Sequence, residues 1–117
     1  STGPGGEGGG VDLFGMVQSR RTSDLTQALR SGVDLEVRDS QGNTPLAEAC
    51  RLGFADIAQI ALNHGARVNT QNYAGLTPLH LAAIGSYGRV WDVLTRAGAN
   101  TEARDANGRT AANYIHI

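Results

Sequence analysis

Three histidines, one cysteine and a scatter of carboxylates are the side chains here that could support acid–base, nucleophilic or metal chemistry. His64, His80 and His116 fall in three different local settings, which is not the spacing of a metal site. His80 follows Thr77-Pro78-Leu79 and has no nucleophile paired with it. Cys50 shares a helical stripe with Leu46 and Ala49, so it reads as a buried, inert thiol. Asp39 and Asp105 each precede a glycine by three residues and read as turn residues, while Glu48 and Asp56 read as ordinary helix surface. No two carboxylates stand apart as acid and base. The expectation is a chain without a catalytic site, a bound metal or a cofactor, and therefore not an enzyme.

The charges point the same way. All ten positive residues are Arg, which suits protein interfaces better than Lys does. Eleven acids are interleaved with them and the net charge is −1, so no basic stripe for nucleic acid is expected. No apolar run approaches membrane-spanning length, and insertion into a membrane is not expected. The single Cys50 excludes an internal disulfide and fits a reducing, intracellular setting. The cytoplasm is the first expectation. The nucleus stays open, as does an organelle interior after loss of a targeting segment.

The elements that must position these residues recur at a fixed step. Thr44-Pro45-Leu46 returns 33 residues later as Thr77-Pro78-Leu79, and in weaker form as Thr110-Ala111-Ala112. Gly42, Gly75 and Gly108 keep the same step, as do Gly32, Gly65 and Gly98. A period of this length means stacked units that bury apolar surface against their neighbours. Asp39-Ser40-Gln41-Gly42 predicts a tight turn. Thr44 then caps a helix with Pro45 at its first position, and Gly53 ends it. A second helix carries Ile57, Ile60 and Ala61 and closes at His64-Gly65. Each unit is turn, helix, turn, helix. Four segments follow: a first unit over 11–38 and full units over 39–71 and 72–104, with a partial one over 105–117. Residues 1–10 hold six of the sixteen glycines and read as a flexible tail.

These in-phase phrases, Gly75-Leu76-Thr77-Pro78-Leu79-His80-Leu81-Ala82-Ala83 above all, resemble ankyrin repeats over residues 11–117. The resemblance implies an all-α ankyrin repeat solenoid of stacked helix-turn-helix units with β-hairpin finger loops, and Thr77 and His80 as internal struts. It also implies a protein-binding adaptor or scaffold that takes a partner on its concave face of fingers and inner helices. By the family's usual contact positions, that face would hold Arg38, Gln41, Asn43, Arg51, Leu52, Tyr73, Leu76, Ile84, Arg104, Asn107 and Arg109. Tyr73, Leu76, Leu52 and Ile84 are apolar where no core is expected, which is the composition of an interface centre with an Arg rim. The first unit departs from the pattern, with Val11-Asp12-Leu13 for Thr-Pro-Leu and polar residues Ser19 to Asp24 on its second helix, as an end cap would have. Ser86 stands where Gly is usual. The fourth unit stops early. Tyr114, Ile115 and Ile117 would lie at an uncapped end, where a homo- or hetero-dimer with another ankyrin chain is the rival reading. A regulatory segment of a larger protein is the third.

Overall fold

Six short α-helices and a closing 3-10 turn build residues 12–115, the part of the chain that the computed structural model describes. The expectations placed on residues 1–11, on His116 and on Ile117 lie outside the described residues. The helices are α1 (Leu13–Gln18), α2 (Thr22–Arg30), α3 (Pro45–Leu52), α4 (Ala55–Asn63), α5 (Pro78–Gly85) and α6 (Gly88–Arg96), and the 3-10 turn spans Ala111–Tyr114. Consecutive helices pair as α1–α2, α3–α4 and α5–α6. The inner members stack as α1, α3, α5 and the turn, and the outer ones as α2, α4, α6.

Local chemistry sets the helix ends. The Thr44 hydroxyl accepts from the Ala47 N–H, and Thr77 does the same for His80, so each satisfies a donor that the first turn leaves over. Pro45 and Pro78 sit at the first helical position, where the missing N–H costs nothing. The first helix has no Thr there, and Asp12 takes over the cap by accepting from Gly15 N–H at 2.9 Å. Gly53 closes α3 at φ 81°, a left-handed conformation that glycine adopts without steric cost. Ser86 closes α5 at φ 60°, where a Cβ is disfavoured. Ser19, Arg20 and Arg21, expected on the second helix, form the connection between α1 and α2 instead, with Arg20 at φ 56°.

The core runs along the stack as one continuous seam. Leu13, Val17, Leu25, Leu46, Ile57, Leu79, Val90 and Leu94 are all buried and belong to one contiguous apolar cluster. Each such side chain contributes on the order of 1.5–3 kcal/mol by leaving water. Leu46 and Leu79 share one environment, as the 33-residue step predicts. Cys50 is fully buried, and that burial pushes its thiol far above the ordinary range, so it stays a neutral packing group.

Two expectations fail here. Glu48 is not helix surface: it is 2% exposed. Its carboxylate accepts from Arg51 Nε and Nη2 at 2.9 and 2.7 Å and from Gln18 Nε2 at 2.9 Å. The Arg51 bonds hold its pKa below 4.5, outweighing the opposing effect of burial. A buried carboxylate is tolerable only with such partners. The fingers also differ from β-hairpins. Among the described residues no strand forms, and each finger closes as a turn.

Candidate protein-interaction face

Each finger is built on one side chain that accepts from its own backbone. Asp39 Oδ1 accepts from the N–H of Gln41 and Asn43, Asn72 Oδ1 from Ala74 and Leu76, and Asp105 Oδ1 from Asn107 and Arg109, all at 2.9–3.0 Å. The turn glycines Gly42, Gly75 and Gly108 sit at φ 77–83°, which is why that position keeps its step. Three aligned fingers result, held to one another across the 33-residue frame. The Tyr73 N–H donates to Gln41 O, and Ala106 N–H to Ala74 O. The Arg38 guanidinium donates to Gly42 O and to Gln71 O of the next finger at 3.0 and 2.8 Å. Gln71 repeats this toward Gly75 O and Arg104 O, both at 2.9 Å. Arg104 donates to Gly108 O of its own finger at 2.7 Å.

Behind the third finger lies a buried polar strut. The His80 Nδ1 accepts from Thr77 N–H at 3.1 Å and lies 2.8 Å from the Thr77 hydroxyl. This arrangement leaves the ring proton on Nε2, which donates to Arg109 O at 2.8 Å. His80 therefore ties α5 to the third finger as a fixed support, with both ring nitrogens engaged. The Tyr114 hydroxyl donates to the Asp105 carboxylate in the same finger and holds that carboxyl below its ordinary pKa; the two finger N–H bonds add to the effect. Tyr114 also meets the His80 ring edge-on at 5.9 Å.

The structure divides the expected contact residues. Tyr73 is 73% exposed and Ile84 43% exposed, on the second finger and the last turn of α5. Arg38, Gln41, Arg51, Arg104, Asn107 and Arg109 are exposed, although Arg38 and Arg104 spend donors on finger carbonyls and Arg51 grips Glu48. Asn43 does not reach the surface. It is 2% exposed, and its Oδ1 accepts from Asn72 Nδ2 at 2.9 Å, so it locks one finger to the next. Leu76 and Leu52 are partly buried against the core, not free-standing loop side chains. The Tyr73 ring covers Gly42 of the preceding finger so closely that a Cβ there would lie 2.7 Å from it. Sequence reasoning missed Gln18, which donates to Glu48 from the neighbouring inner helix; no periodicity marks it. Tyr114 and Ile115 lie at the end of the stack, half-buried and exposed respectively.

A profile described as "Ankyrin repeats (3 copies)" matches residues 13–105. This chain belongs to the ankyrin-repeat family. Ankyrin repeats are, as a family, protein–protein interaction modules. The chain is 34% identical to cyclin-dependent kinase 4 inhibitor B of Bos taurus, over 89% of this chain and 79% of that protein. It is 39% identical to NF-kappa-B inhibitor alpha of Sus scrofa, over 66% of this chain and 26% of that protein. With BCL-6 corepressor-like protein 1 of Homo sapiens it shares 38% identity over 67% of this chain, but only 4% of that protein. The chain thus spans a small part of two of these three relatives. No described helix of this ankyrin protein is long and apolar enough to cross a membrane. The described residues also contain no cluster of three His, Cys, Asp or Glu side chains fit to hold a metal.

Proposed function

We propose that this ankyrin domain is a non-enzymatic adaptor, working inside the cell, that takes a protein partner along its aligned fingers and inner helices. The observation that carries the reading is the pair Tyr73 and Ile84. Both are large, apolar and exposed, and both belong to the finger and inner-helix side of one repeat. The Tyr73 ring lies over Gly42 yet keeps 73% of its surface in water, and Ile84 keeps 43%. Around them stand Arg51, Arg38 and Gln41, giving an aromatic and aliphatic centre with a polar rim. The support beneath is rigid, because finger-to-finger bonds and the His80 strut fix the spacing of these side chains before a partner arrives. Pre-organisation of that kind lowers the entropic cost of binding. The names of the relatives, an inhibitor of a cyclin-dependent kinase and an inhibitor of NF-kappa-B, fit proteins that act by binding.

The test is affinity capture of a partner followed by measured Kd values for wild type and for Tyr73→Ala/Ile84→Ala. Affinity should fall at least tenfold while the urea midpoint stays within error of wild type. Equal affinities would overturn the assignment of the partner to this face.

A further inference from the structure

We infer that the partner taken by the finger face is an acidic protein segment, with Asp or Glu beside a large apolar side chain, whose carboxylates are received by Arg51 and Arg38. This names the partner class of the site proposed above and rests on that reading. The surface lies within the stack. The 33-residue frame puts Gln18, Arg51 and Ile84 at one position of α1, α3 and α5. All three are exposed, and Gln18 and Arg51 stay so although another helix pair follows each of them. Tyr73 likewise has a finger on either side: its N–H donates to Gln41 O, and the neighbouring Ala74 O accepts from Ala106.

Three residues before that row, the frame carries Gly15, Glu48 and Leu81. Leu81 fills its place at 7% exposure, so the repeat folds with a hydrocarbon there. Glu48 brings a carboxylate into the same place, and its desolvation is unfavourable. What the carboxylate does is fix Arg51. Oε1 accepts from Nε at 2.9 Å and Oε2 from Nη2 at 2.7 Å, while Gln18 Nε2 steadies Oε2 at 2.9 Å. A guanidinium carries five N–H donors in one plane. Glu48 takes two of them. The other three, two on Nη1 and one on Nη2, meet no described acceptor, and the side chain is 46% exposed. A planar fork held in this way matches a carboxylate bidentately.

Glu48 offsets the charge of Arg51, but nothing offsets that of Arg38. Its Nη1 donates to two neutral carbonyls, Gly42 O and Gln71 O, and it forms no ion pair with a described residue. The Tyr73 ring covers Gly42, so Arg38 stands beside that ring. The nearby Asp39 uses Oδ1 on the N–H groups of Gln41 and Asn43. Two guanidinium groups thus flank the apolar pair Tyr73 and Ile84. A carboxylate next to an apolar anchor complements that arrangement in both charge and polarity.

The probe is a library of random 12-residue peptides displayed on phage and panned against the immobilised full chain. Enriched peptides, synthesised with a fluorescent label, then give Kd values. They should carry Asp or Glu within a few residues of a large apolar side chain. Changing those acids to their amides should raise Kd at least tenfold for wild type, but less than twofold for Arg38→Gln/Glu48→Leu/Arg51→Ile. That variant takes Leu and Ile from the equivalent places in the next repeat, and its urea midpoint checks the fold. Glu48→Leu alone separates orientation from charge. It removes a negative charge from the face yet releases Arg51, and Kd should rise at least threefold; unchanged or tighter binding would overturn the fixed fork. Enriched peptides without acids, or acids replaceable without loss on wild type, would overturn the acidic partner. If such peptides still bind tenfold more weakly to Tyr73→Ala/Ile84→Ala, the finger face stands and only its partner chemistry falls. No enriched peptide, or peptides indifferent to both sets of substitutions, would remove the face and the acidic partner together.

Discussion

The α3–α4 and α5–α6 pairs occupy the same 33-residue frame, yet they solve four of its positions in opposite ways. Glu48 becomes Leu81, Arg51 becomes Ile84, Gly53 becomes Ser86 and Ala58 becomes Trp91. The backbones nevertheless agree closely. Both inner helices start on Thr-Pro and both end on a left-handed residue. The comparison teaches that the repeat fixes where a side chain points, while its neighbours decide what that side chain must be. The middle pair is covered on both sides, so its outer helix can carry only a small Ala58. Among the described residues the last pair has no outer neighbour after it, and Trp91 there is half-buried. Glu48 is buried beside α1 with Arg51 and Gln18 both donating to it; at Leu81 the same place is filled by a hydrocarbon.

Exchanging residues between the two pairs is the direct way to break this comparison. The largest effect is expected from Ala58→Trp, which forces the tolerated Trp91 side chain into a fully covered site. Overpacking should lower stability by about 3 kcal/mol or more, read as a fall in the urea midpoint. A near-neutral result would mean that α6 yields easily and that coverage does not distinguish the pairs. Gly53→Ser comes next. The left-handed backbone costs a Cβ about 1–2 kcal/mol, and here the Cβ also meets the Tyr87 ring at 2.6 Å. Its thermal midpoint should drop clearly below that of wild type.

The third exchange, Glu48→Leu, sharpens the electrostatic contrast. The folded pKa of Glu48 lies below its ordinary value of 4.5. The folded state therefore favours the ionised form. Its contribution is present above pH 4.5 and drains away as pH falls through the lower folded value. Wild type should lose stability more steeply with acid than Glu48→Leu does, in urea titrations run from neutral pH downward. Parallel slopes would remove Glu48 as the source. The smallest effect is the reverse glycine exchange. Ser86→Gly relieves the strained left-handed residue but gives the unfolded chain more freedom, for a net gain of about 0.5–1 kcal/mol. No gain, or a loss, would show that Ser86 is held there without strain.

Much of the scaffold was legible in the residues themselves. Thr44, Pro45 and Gly53 mark one helix, and Asp39 with Gly42 marks its finger, because caps and turns are made by residues a few places apart. The candidate face was less legible. Tyr73 and Ile84 stand exposed where the frame put them, but Asn43 turns inward to Asn72 and Leu76 settles against the core. Those outcomes depend on a partner about thirty residues away, and no local pattern encodes which polar group will find another. The same holds for Glu48. A helical wheel counts it as surface, because the wheel has no knowledge of Gln18 on the next helix.

The sequence by itself determined the period, the helix starts and stops and the turn chemistry, since each is a short-range property of neighbouring residues and their backbone. Only the tertiary structure decided which polar side chains are buried, which Arg side chains are occupied by carbonyls, and which side of the last helix pair meets no other described element. Those depend on how the layers meet in space. Thus the same step in the sequence carries a buried carboxylate in one layer and a leucine in the next.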